Sequence, residues 1–169
     1  KPITWGLDLA WLSESNLRRG IAFMGADRVD VVRASFQPVD SIKNGDIQTS
    51  EINDLNTRLN LIDLTGTKTK VILNCDHPSV NSWFLGRADR WAQLIDITTK
   101  RVQARNRKVI SVSPFNEPDF GWGQYSGSAS NGQLDFLNIA TELRKNTRFD
   151  SIRISGGNTL NCDQALPWY

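Results

Sequence analysis

Val109-Ile110-Ser111-Val112-Ser113-Pro114-Phe115-Asn116-Glu117-Pro118-Asp119 joins a short β-branched run to a turn bracketed by prolines. Branched side chains fit a pleated surface, and a run this short bounded by proline reads as a buried strand. Pro114 and Pro118 end the strand and stiffen the turn beyond it. The expected result is an Asn-Glu pair held at the mouth of a sheet.

Outward from this stretch, the same passage from apolar run to polar exit recurs. Ile3-Thr4-Trp5-Gly6-Leu7-Asp8-Leu9-Ala10 has strand composition, and Ser13 or Ser15 then offers an N-cap to a helix with Leu17, Ile21 and Met24 on one face. Residues 29–34 form a second run, which carries Arg33 near its C-terminal end and is closed by Pro38. Ser50 precedes Ile52, Leu55, Leu59 and Ile62, the stripe of an amphipathic helix that Gly66 ends. Lys70-Val71-Ile72-Leu73-Asn74-Cys75 is a third strand whose exit, Asp76-His77-Pro78, bears the single histidine.

Ala88, Trp91, Ile95 and Val102 mark a third helix, weakened in its middle by Thr98 and Thr99. Beyond the opening stretch come a Gly- and Ser-rich loop at 121–132, a helix with Leu134, Phe136, Leu137, Ala140 and Leu143, and a fifth strand, Ser151-Ile152-Arg153-Ile154-Ser155, with the exit Gly156-Gly157-Asn158. Trp5 and Trp91 lie within elements and are expected in the core.

Strand and helix alternate throughout, which predicts an α/β protein with a parallel sheet and helical crossovers. Candidate site residues sit at every strand exit and not at one switch point, which favours a parallel (β/α)8 TIM barrel over a doubly wound sheet. A closed barrel needs eight strands and about 250 residues. The five strands here therefore predict that residues 1–169 are the N-terminal portion of a single TIM-barrel catalytic domain, truncated after about five β/α units, with the remainder of the barrel as their expected partner. An intact open sheet of five strands is the competing architecture.

The totals are those of a globular domain, with 39% hydrophobic and 22% charged residues. No apolar run approaches the roughly 20 residues of a membrane span. Twenty basic residues against eighteen acidic ones leave a net charge of +2, dispersed and not gathered in a stripe, which argues against nucleic acid as a partner. Cys75 and Cys162 have neither the number for a disulfide framework nor a spacing for zinc, so a single bridge and two free thiols both stay open. A start at Lys1-Pro2 without methionine fits a processed N-terminus and hence a secreted, cell-surface or periplasmic location.

Ser113-Pro114-Phe115-Asn116-Glu117-Pro118 resembles the strand-four signature of clan A glycoside hydrolases, retaining enzymes built on a (β/α)8 barrel. The resemblance covers the five units of this chain. It implies that Glu117 is the general acid/base and that Asn116 hydrogen-bonds the sugar 2-hydroxyl. It further implies that Arg33, near the end of strand two, lies close to the nucleophile and keeps it ionised, and that His77 lines the sugar-binding floor. For Arg33 the plainer alternative is an ion pair inside the sheet, and for His77 an ordinary polar loop residue. The clan's nucleophile comes from the end of strand seven; no carboxylate here matches its motif, and Asp8, Asp76 and Asp119 are not assigned that role.

Glycoside cleavage calls for these residue types. One carboxylic acid must protonate the leaving oxygen and then, as a carboxylate, activate water, while a second about 5 to 5.5 Å away forms the glycosyl intermediate. The expectation is an O-glycosidase that cleaves β-glycosidic bonds in a poly- or oligosaccharide by retaining double displacement, with the nucleophile outside these residues and the isolated portion inactive. Neither a metal nor an organic cofactor is expected. Aromatic rings cluster at strand exits, where they suit the flat faces of sugars, and Trp122, flanked by glycines, is the foremost candidate platform for substrate. A carbohydrate-binding protein that keeps the barrel but not hydrolysis is the second reading. An open-sheet enzyme using metal or phosphate is the third, opposed by the lack of a Gly-x-Gly-x-x-Gly, a phosphate loop or a paired-histidine motif.

Overall fold

The computed structural model describes residues 3–36, 42–43, 46–47, 49–75, 86–119, 136–156 and 158–168. Five parallel strands form one sheet: β1 (Gly6–Asp8), β2 (Val31–Phe36), β3 (Lys70–Cys75), β4 (Lys108–Ser113) and β5 (Arg153–Ile154). Their order in space is their order in the chain, without reversal. Helices α1 (Glu14–Met24), α2 (Thr49–Asp63), α3 (Ala88–Ala104) and α4 (Phe136–Arg144) lie between successive strands, and a short α5 (Ala165–Trp168) follows β5. A two-residue antiparallel ribbon pairs Ile42–Lys43 with Asp46–Ile47 ahead of α2.

The helices begin and end for local reasons. Ser13 caps α1 by accepting from the Asn16 N–H at 3.4 Å, and Gly25, at φ 86°, turns the chain out while its own N–H donates to Ile21 O. The two threonines expected to weaken α3 do not break it. Both are fully buried, and Thr98 Oγ1 donates back to Leu94 O at 3.0 Å, so that hydroxyl is satisfied within its own helix.

The sheet divides its side chains by parity. Val32, Ala34 and Phe36 on β2, Val71, Leu73 and Cys75 on β3, and Val109 and Val112 on β4 are buried and join Leu17, Leu59, Ile62, Leu94, Ile95, Val102, Ile139 and Leu143 from α1–α4 in one apolar cluster. The alternate residues, Arg33, Ser35, Ile72, Asn74, Ser111 and Ser113, line the other face, and even Ile72 stays outside the cluster. A bulge keeps this division intact on β4. The register passes from Val71 opposite Val109 to Ile72 opposite Ser111, skipping Ile110, so Val112 pairs with Leu73 on the apolar face and Ser113 with Asn74 on the polar one.

Two expected core positions differ. Trp91 is buried at 1% exposure, but Trp5, which precedes β1, is 59% exposed. On α4 Leu143 is buried and Phe136 packs against the core as expected, but Leu137 is 67% exposed and Ile139 is buried in its place. The fifth strand is also shorter than the apolar run that marks it, since only Arg153–Ile154 pair with β4.

Candidate active site

The turn after β4 is fixed by its surroundings before any functional residue is considered. Phe115 is fully buried and packs edge-on against Trp91 (ring centroids 6.2 Å apart) and Phe136 (6.3 Å). Trp91 Nε1 donates to Pro114 O at 2.7 Å, tying α3 to the turn, and Ser113 Oγ donates to Phe115 O. These contacts leave Asn116 and Glu117 little freedom of direction.

Glu117 itself takes φ 44°, a left-handed conformation that only Asn106 shares among the described non-glycine residues. At Asn106, just past the end of α3, this is an ordinary helix-ending conformation for asparagine. Glutamate has no such preference, and the conformation costs it about 1 kcal/mol. It is held there by its own N–H, which donates to Asn158 O, beyond the end of β5, at 2.7 Å.

A polar network runs beside it across the strand exits. Arg33 Nη1 pairs with Asp8 Oδ2 at 2.6 Å, and Arg33 Nη2 donates to Asn116 Oδ1 at 3.0 Å. Asn158 Nδ2 donates both to Asn116 Oδ1 at 2.8 Å and to Asn74 Oδ1 at 3.0 Å. Asn74 Nδ2 makes a long contact of 3.5 Å to Ser35 Oγ. Asp8 is in turn oriented by the Ala10 N–H, while Arg58 of α2 donates to Leu9 O and Ala10 O and pins the exit of β1. All five strand exits thus contribute to one connected set of groups around Asn116.

Asp119 closes the site from the side. Its carboxylate accepts from the N–H groups of Leu160 and Asn161 and from Asn161 Nδ2, at 2.8 to 3.1 Å. Burial pushes its carboxyl up, but these bonds and its own N–H outweigh that and hold it below the usual aspartate range. Asp119 therefore acts as a clamp between the exits of β4 and β5.

Of the residues singled out in the sequence, Glu117, Asn116 and Arg33 come together; His77 and Trp122 lie outside the described residues. Arg33 forms the ion pair with Asp8 that was the plainer of its two readings, and it also donates to Asn116 Oδ1. Asn158 and Asn74 carry as much of the network as Arg33 does, yet strand periodicity does not single them out. The available signal was an asparagine at each strand exit, the second of them after Gly156-Gly157. Among the described residues no group of three or more His, Cys, Asp or Glu is arranged to hold a metal ion. No protein-family model matches the chain and none of the curated proteins does, so the site is read from its own residues.

Proposed function

We propose that this chain provides the first five β/α units of a (β/α)8 barrel and the acid/base half of a retaining β-glycosidase that acts on a poly- or oligosaccharide. Strand order without reversal, helices packed against one face of the sheet, and polar residues meeting at the C-terminal strand ends support the barrel. The observation that carries the activity is Glu117, kept in a strained left-handed conformation at the exit of β4 by the carbonyl of Asn158. Strain of this kind persists where surrounding structure imposes it, and it concentrates at reacting centres.

In this reading the Glu117 carboxyl gives its proton to the glycosidic oxygen as the anomeric C–O bond breaks. A carboxylate from a later strand forms the bond to the anomeric carbon. Glu117, now ionised, takes a proton from water as water displaces that carboxylate. Asn116 hydrogen-bonds the sugar 2-hydroxyl, an interaction whose worth is greatest in the transition state.

The test uses the full-length protein and its Glu117→Ala variant. General acid/base loss is expected to lower kcat on a natural glycan by about a thousandfold. On a dinitrophenyl β-glycoside, whose leaving group needs no proton, added azide is expected to restore turnover and to yield a β-glycosyl azide. A loss of only a few-fold on the glycan would overturn the assignment, and glycan binding without turnover by the parent protein would favour a carbohydrate-binding role.

A further inference from the structure

We infer that Asp8 and Arg33 together recognise two vicinal hydroxyls of the sugar ring held beside Glu117, Asp8 accepting from one hydroxyl and Arg33 donating to its neighbour. The inference rests on Glu117 being the acid/base. The two residues stand directly opposite each other at the ends of β1 and β2. Leu7 and Leu9, on either side of Asp8 in the chain, pack into the apolar cluster, so strand parity turns Asp8 to the polar face with Arg33. Asp8 Oδ2 takes Arg33 Nη1 at 2.6 Å, and Arg33 Nη2 reaches Asn116 Oδ1 at 3.0 Å, which sets the pair beside the turn that carries Glu117.

Exposure separates this pair from the asparagines of the network. Asn116 and Asn74 are 2% and 1% exposed, whereas the side chains of Arg33 and Asp8 are 26% and 40% exposed. Asp8 accepts two hydrogen bonds, from Ala10 N–H and Arg33, and Arg33 donates two, to Asp8 and Asn116. Lone pairs on the carboxylate and N–H groups on the guanidinium are left over next to each other. Adjacent hydroxyls of a sugar offer the matching order, one donating while the next accepts. The acceptor is also held in advance: Ala10 N–H fixes Asp8 Oδ1 at 2.8 Å, and Arg58 pins the chain at Leu9 O and Ala10 O. Its opposite charges cancel, so the pair suits neutral hydroxyls over a carboxylate or a phosphate. The fold itself gains little from it, because Leu9 N–H to Arg33 O at 2.8 Å and the strand pairing already join β1 to β2, and a partly exposed ion pair is weak.

The experiment measures kcat/KM on a dinitrophenyl β-glycoside and its monodeoxy counterparts, in the full-length parent and its Asp8→Ala, Asp8→Asn and Arg33→Lys variants. Each analogue is compared with itself across the proteins, so its intrinsic reactivity cancels. Asp8→Ala is expected to lose roughly 10- to 100-fold on the complete sugar, the worth of a hydrogen bond to a charged group, but at most a few-fold on the analogue that lacks the hydroxyl Asp8 holds. Arg33→Lys is expected to be blunted in the same way on the analogue deoxygenated at the adjacent carbon. Asp8→Asn keeps an accepting oxygen for Arg33 and is expected to show the selectivity of Asp8→Ala to a smaller degree; it carries the comparison if Asp8→Ala does not fold. Equal losses on every analogue would mean that Asp8 merely orients Arg33, and blunting at two carbons that are not neighbours would rule out a vicinal pair; either result would overturn the inference. Glu117→Ala, measured alongside, separates the failures: azide rescue there with equal losses at Asp8 leaves the glycosidase reading standing and removes only this inference, while absence of rescue removes both.

Discussion

On β2, Val32, Ala34 and Phe36 are sealed beneath helices, while Arg33 and Ser35, one residue out of step, belong to the polar network that reaches Asn116. The same contrast holds on β3 between Leu73 and Asn74. One face of each strand holds the fold together by excluding water, and the other arranges directional bonds toward the strand exits. The difference teaches that stability and site geometry are written on alternate residues of the same segments, so neighbouring substitutions should fail in different ways.

The largest effect on stability is expected from Leu73→Ala, which opens a cavity in the fully packed face and should cost about 3 kcal/mol in chemical denaturation. Asn74→Ala, the next residue, should cost about 1 kcal/mol, the worth of its hydrogen bonds. Equal losses at the two positions would break the division between the faces. Trp91→Phe sharpens it, because Trp91 belongs to the apolar side but its Nε1 reaches Pro114 O on the way to the site. It should lower stability by about 2 kcal/mol through lost packing and an unpaired carbonyl, and lower activity as well.

Glu117 should behave in the opposite sense to every core residue. Glycine tolerates φ 44° at no steric cost whereas alanine does not, so Glu117→Gly should be more stable than Glu117→Ala by about 1 kcal/mol. If alanine proved the more stable of the two, the backbone there would not be strained. The smallest effect concerns Asp119. Its carboxyl is held below the ordinary aspartate value, so its contribution to stability is complete above that range and is lost as pH falls through the lowered value. Asp119→Asn should therefore cost about 0.5 kcal/mol at pH 7, a partly exposed clamp being discounted for solvent, and the gap to the parent should narrow as pH falls below about 4.

The alternation of strand and helix was legible because Val29 to Ala34, Lys70 to Cys75 and Val109 to Ser113 are short runs rich in β-branched residues, the first interrupted by Asp30 and Arg33, and packing dictates what such runs do. On α4 Phe136 and Leu143 were read correctly, but the choice between Leu137 and Ile139 was not legible: the two are equally apolar, and packing decides which of them is covered. Trp5 misled because an aromatic residue beside a strand is core only if something lies over it. At the site, Glu117 and Asn116 were visible as polar residues between two prolines. Asn158 and Asn74 were not, since their role is defined by each other and by Asn116, which lie far apart in the chain and meet only through sheet pairing.

The bond from Glu117 N–H to Asn158 O also sets an order of events in time. Asn158 lies 42 residues after Asn116, and contacts of that separation form late because the intervening chain must first be brought together. During synthesis, β4 and its turn leave the ribosome before their partner does. The backbone geometry at Glu117 therefore cannot be set by the segment that contains it; it waits for β5 to dock, and its appearance on refolding becomes a clock for the pairing of β4 with β5.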